Sequence, residues 1–98
     1  MRVILDLDTL KSIKYGIVYV AFSYDKHWYD YLDKLEQKAE VVKVFGYYDT
    51  LLRHLGLHVS NRYINPVLVW IYDGVPVCFI QDADLKTIHR ITNNYIHQ

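Results

Sequence analysis

Residues 63–80 read Tyr63-Ile-Asn-Pro-Val-Leu-Val-Trp-Ile-Tyr-Asp-Gly-Val-Pro-Val-Cys-Phe-Ile80. Pro66 opens an apolar run over 67–72, Asp73-Gly74 reverses the chain, and a second apolar run returns over 75–80. Asp-Gly between two such runs signals a two-residue type I′ hairpin, whose two turn residues must both take positive φ. Pro76 lies inside the returning strand and cannot donate a ladder hydrogen bond. That strand is therefore expected at a sheet edge, or with its proline at a non-pairing position. Asp82 then caps a last helix, with Leu85, Ile88, Ile91 or Thr92, and Tyr95 facing inward.

Upstream, residues 17–22 (Ile-Val-Tyr-Val-Ala-Phe) form a continuous apolar run, the pattern of a central strand buried on both faces. Ser23 and Asp25 offer caps for the clearest helix of the chain. In it, Trp28, Tyr31, Leu32, Leu35 and Ala39 fall on one stripe, while Asp30, Asp33, Lys34, Glu36, Gln37 and Lys38 cover the other side. Residues 41–45 are another β-run. Asp49 can cap a short helix through Leu51, Leu52 and Leu55, which Gly56 closes. Residues 2–7 read as a short strand ended by Asp8-Thr9, with one or two helical turns over 9–14 before Gly16 breaks them. Residues 58–65 read as an irregular connection. The order β-α-β-α-β-α-β-β-α predicts an α/β domain over residues 1–98, a mixed sheet of about five strands with helices on both faces.

Composition narrows the function classes. An apolar fraction of 52% with 22% charged residues describes a folded chain and argues against disorder. Eleven basic side chains balance 11 acidic ones. Without a basic surplus there is little counterion release to drive nucleic-acid binding, so that partner class is not expected. Neutrality gives little colloidal protection, which favours a stable partner or a homodimer. Cys78 is the sole cysteine, so no intramolecular disulfide framework is expected. The opening Met-Arg-Val-Ile-Leu-Asp turns acidic too early for a signal peptide, and no apolar run approaches the roughly 20 residues a membrane span needs. A cytoplasmic protein without membrane association is the expectation. The 10 tyrosines suit half-buried positions and contact surfaces.

The predicted order resembles the thioredoxin fold with its extra amino-terminal β-α unit, over nearly the whole chain. Three features carry the resemblance: a buried strand leading into a helix, Asn65-Pro66 before an apolar strand, and a tight hairpin followed by a terminal helix. In that family a Cys-x-x-Cys stands at the amino end of the helix after the buried strand. The matching positions here are His27, Trp28, Tyr29 and Asp30, and the position of the family's buried acid is Ala21. Dithiol exchange needs a low-pKa thiolate and a resolving thiol, and this chain supplies neither. The resemblance thus implies a redox-inactive module that acts by protein–protein binding, with no cofactor, metal or catalytic residue. Its contact surface would gather Tyr24, His27, Tyr29, Asp30, Tyr63, Asn65 and Pro66. By the same resemblance Asn65-Pro66 would be cis, with Pro66 against the helix start at His27. A small tyrosine-rich chain without a catalytic set also fits a viral or phage accessory protein.

An alternative attaches to the amino terminus. Val-Ile-Leu-Asp-Leu-Asp-Thr-Leu resembles the nucleophile motif of haloacid-dehalogenase-type phosphatases, a strand ending in Asp-x-Asp-Gly-Thr. That resemblance implies Asp6 as nucleophile and Asp8 as acid/base beside Mg²⁺, with residues 17–23 as a second motif ending in Ser23. The glycine is missing, and only Asp82 and Asp84 stand in for the family's later acids. The plainer expectation is that Asp6 and Asp8 end a strand and cap the turn after it.

Two further patterns bear on function. His54 and His58 have metal-ligand spacing, but Gly56 between them is expected to end the helix, and no nearby Cys or Glu completes a set. Tyr15, Tyr19, Tyr24, Tyr29, Tyr47, Tyr48, Tyr63 and Tyr72 could stack bases, but lack interleaved Arg and Lys; sheet and rim positions are expected for them.

Overall fold

An apolar run with no polar face must be covered on both sides, and the strand that residues 17–21 belong to is covered so. The computed structural model describes residues 1–21, 26–58 and 67–80, with Lys86 and Arg90 beyond them. In chain order they form β1 (Arg2–Val3), α1 (Leu7–Lys11), β2 (Tyr15–Ala21), α2 (Lys26–Leu35), β3 (Val41–Phe45), α3 (Asp49–His54), β4 (Val67–Tyr72) and β5 (Val75–Ile80). Lys86 and Arg90 are helical and exposed. The caps expected from Ser23, Asp25 and Asp82, the inward residues of the last helix, and Asn65-Pro66 lie outside the described residues.

The sheet runs β1-β3-β2-β4-β5. β3 pairs in parallel with both β1 and β2, and β4 pairs antiparallel with β2 and with β5. The three parallel strands therefore direct their carboxyl ends to one end of the sheet, and β4 starts from that same end. Val67 opens β4 opposite Val20, one residue before β2 ends.

Period-2 alternation divides the apolar strands between two cores. On one face Val18, Val20, Val42, Val44, Val67, Val69 and Ile71 pack with Leu10 of α1 and with Leu51 and Leu52 of α3. On the other, Ile17, Tyr19, Val41, Leu68, Trp70 and Ile80 pack under Tyr31, Leu32 and Leu35 of α2. The result is an α/β architecture with helices on both faces of a five-stranded mixed sheet.

The hairpin takes the form its turn residues dictate. Asp73 and Gly74 have φ of 53° and 78°. The Gly74 N–H donates to the Lys14 carbonyl at 3.2 Å, which ties the turn to the start of β2. Among the described residues β5 is an edge strand, so Pro76 withholds no donor from a strand beyond it. The register shifts between Trp70, opposite Cys78, and Ile71, opposite Pro76, leaving Val77 as the extra residue of a bulge.

Two helices differ from the sequence reading at their ends. α1 begins at Leu7 rather than Thr9, and β1 stops at Val3 rather than Leu7. The cause is the Asp6 carboxylate, which accepts from the Thr9 N–H at 2.8 Å and so draws Leu7 and Asp8 into the first turn. α3 is preceded by Tyr48 at the capping position, with Asp49 already helical. Its end follows the glycine rule. Gly56 has φ 79°, its N–H donates to Arg53, and the Leu57 N–H reaches back to Leu52 at 2.9 Å.

Candidate functional site

The first turn of α2 carries part of the contact surface expected from the sequence. Lys26 and His27 are helical, but their side chains, like Tyr24, Tyr63, Asn65 and Pro66, lie outside the described residues. Trp28 and Tyr29 are half-buried against the core beneath α2, and Asp30 is exposed. Tyr29 meets the ring of Tyr19 edge-on at 5.8 Å, and Trp28 lies 6.1 Å from the same ring. Two members of the expected surface, Tyr29 and Asp30, are thereby placed on the helix start.

Beneath Tyr29 lies a residue that the apolar patterning did not single out. Lys43, in the middle of β3, is 1% exposed. Its Nζ donates to the Tyr29 hydroxyl at 2.7 Å. The same nitrogen lies 4.9 Å from the Tyr19 ring centroid, 5.1 Å from that of Tyr29 and 4.9 Å from that of Phe45. Taking an ammonium out of water costs several kcal/mol, which ring faces and a charged hydrogen bond partly offset, at about 0.5–2 and 1.5–3 kcal/mol each. The sequence does carry a signal for it. A lysine between Val42 and Val44, in a run buried on both faces, has no route to solvent and needs acceptors within the fold.

Aromatic contact continues from Lys43 toward the strand ends. Phe45 stacks on Tyr47 at 5.4 Å with 18° between the planes, and Tyr47 lies 5.0 Å from Tyr48. Tyr47 and Tyr48 border an open cleft of about 470 Å³ beyond the carboxyl ends of β1 and β3. Leu5, Asp6 and Leu7 line one wall, and Tyr47, Tyr48, Asp49, Thr50 and Leu51 the other. Asp49 was expected only as a cap, so the cleft was not legible from spacing.

Asp6 and Asp8, the pair of the alternative reading, part company here. Asp6 lines the cleft, while Asp8 is absent from its described lining and sits in the first turn of α1. The Asp6 carboxylate accepts from the Thr9 N–H and from the Thr9 hydroxyl, at 2.8 Å in each case. The Thr9 N–H, and then its hydroxyl, hold the Asp6 carboxyl below its ordinary value, against a small opposing effect of desolvation.

The remaining candidates are dispersed. Tyr15 and Tyr72 form an edge-on pair at 5.1 Å at the opening of β2, at the far end of the sheet from Tyr47 and Tyr48, and Tyr19 is buried in the core. α3 ends at His54, and Gly56 turns the chain before His58, so the two imidazoles do not share a helical face. Among the described residues no three His, Cys, Asp or Glu side chains come together as a metal site. Cys78 is half-buried on β5, opposite Trp70. No helix among the described residues is long and apolar enough to cross a membrane. No protein-family model matches the chain, and no curated protein matches it.

Proposed function

We propose that this chain is a redox-inactive thioredoxin-like module that works by protein–protein contact at the first turn of α2. The observation that carries the reading is the Lys43–Tyr29 bond beneath that turn. At the height where a dithiol would stand, the helix start presents Trp28, Tyr29 and Asp30, with Tyr29 tied to a buried cation. A tyrosine so fixed can offer contact area at little further ordering cost, and aromatic side chains are favoured at interfaces.

The sheet supports the thioredoxin-like part. Three parallel strands, an antiparallel hairpin and helices on both faces of the sheet are compatible with it. The antiparallel pairing of β2 and β4 puts Ala21, the last residue of β2, and Val67, the first of β4, at the same end of the sheet. That is where the proposed surface would bring Tyr24, His27, Tyr29, Asp30, Tyr63, Asn65 and Pro66 together. The module acts in the cytoplasm and without a cofactor in this reading. Self-association, if it adds to this function, has β5 as its natural edge, where Val75, Val77 and Phe79 are exposed.

Affinity capture from the native host tests the reading, comparing the natural chain with His27→Ala and Tyr29→Ala. Loss of a captured protein in the variants is the expected result. Mg²⁺-dependent phosphatase turnover that disappears in Asp6→Asn would replace it with the enzyme reading.

A further inference from the structure

We infer that the cleft beyond β1 and β3 is a subsite for an arginine side chain of the protein partner. The inference rests on the binding-module reading and gives that partner a chemistry. The carboxyl ends of parallel strands are the usual place for ligands in open α/β sheets. A cleft of about 470 Å³ falls within the size range of binding pockets, about 300–1,000 Å³.

Charge and shape select the occupant. Asp49 supplies a carboxylate on one wall, Asp6, whose oxygens already accept from Thr9, adds its charge on the other, and no Lys, Arg or His is among the described lining residues. Phosphate-bearing ligands are repelled by that pair. A hard divalent ion gains little, because it wants six or more oxygen ligands, and no third acid or histidine joins the two. Beside the carboxylates stand Tyr47, which is 53% exposed, and Leu5, which is 63% exposed. Tyr47 is backed by Phe45, so its ring forms a firm wall. Carboxylate, aromatic face and apolar wall together match a planar guanidinium on an aliphatic stem.

The cleft and the start of α2 lie at the same end of the sheet, joined beneath the surface by a chain of interior contacts. From Tyr29 the contacts run through Lys43 to Phe45 and on to Tyr47 and Tyr48. A partner lying across the start of α2 would reach the cleft along the same end of the sheet.

The test is an amide NMR titration of the whole chain with the capped tripeptide acetyl-Gly-Arg-Gly-amide. The control replaces arginine by citrulline, which keeps the shape and removes the charge. Saturable shifts confined to residues 5–8 and 46–51, weakening as salt is raised, are the expected result. The citrulline peptide binds at least about tenfold more weakly, and Tyr47→Ala and Asp49→Asn each weaken the arginine peptide about fivefold. Equal response to the two peptides, shifts centred elsewhere, or no saturation overturns the inference. Tighter binding of free arginine than of the capped peptide overturns it too, since that marks a small-molecule site. Both variants keep the native far-UV CD spectrum in the expected outcome, and Tyr47→Ala, at an exposed position outside any helix, keeps the test valid if Asp49→Asn unsettles α3. Captured partner that is lost in Tyr29→Ala but retained in Tyr47→Ala overturns the subsite alone and leaves the α2 surface standing.

Discussion

Lys43 and Tyr29 join the sheet to the helix above it: the ammonium of the buried Lys43 on β3 donates to the phenolic oxygen of the half-buried Tyr29 on α2 at 2.7 Å. The bond fixes the first turn of α2 against the strand beneath it. It also makes the proposed contact surface depend on a residue that never reaches that surface.

A double-mutant cycle measures that dependence. Lys43→Met keeps the apolar stem and removes the charge, while Tyr29→Phe keeps the ring and removes the acceptor. The expected coupling in urea unfolding is about 1.5–3 kcal/mol, the worth of a hydrogen bond to a charged group. Additive effects would mean that the contact is not made in solution.

Close approach of backbone to backbone makes Gly16 a sensitive position. A Cβ at residue 16 would lie 2.9 Å from the carbonyl oxygen of Glu40, which already accepts the Ile17 N–H at 2.9 Å. Gly16→Ala must push β2 away from that carbonyl. A loss of about 1–3 kcal/mol in chemical denaturation is expected, with the fold retained.

Acid should act through the cap of α1. Asp6 has a folded-state pKa below its ordinary 3.8, chiefly from the Thr9 backbone N–H. A depressed carboxyl contributes stability that is fully present above its unfolded value and is lost as pH falls through the folded value. Asp6→Asn should therefore differ from the natural chain at pH 7 and converge with it in strong acid. Urea midpoints from neutral pH down to pH 2 check this, and a constant difference across the range would contradict it.

The parts of the fold that the sequence disclosed are those with a local cause. Asp73-Gly74 had to be a hairpin turn because only such residues take two positive φ values in succession, and Gly56 had to end α3 for the same reason. Residues 17–21 had to lie in a central strand because the run has no polar face. The start of α1 was misread, since the apolar character of residues 2–5 outweighed one aspartate, yet a single side-chain bond from Asp6 moved the boundary. The site was less legible because it is assembled across elements. Lys43 and Phe45 share a face of β3, but Tyr29 and Tyr19 come to them only through the placement of α2 and the pairing of β2 with β3. Asp6 and Asp49 come to one cleft only because β1 pairs with β3. No spacing rule along one segment reports such neighbours.

The central claim is that function resides in contact at the start of α2, and affinity capture from the native host tests it most directly. The natural chain, His27→Ala and Tyr29→Ala would be compared at equal loading, with folding checked by far-UV CD. The expected result is a protein retained by the natural chain and lost from both variants. A protein retained equally by all three would contradict the claim.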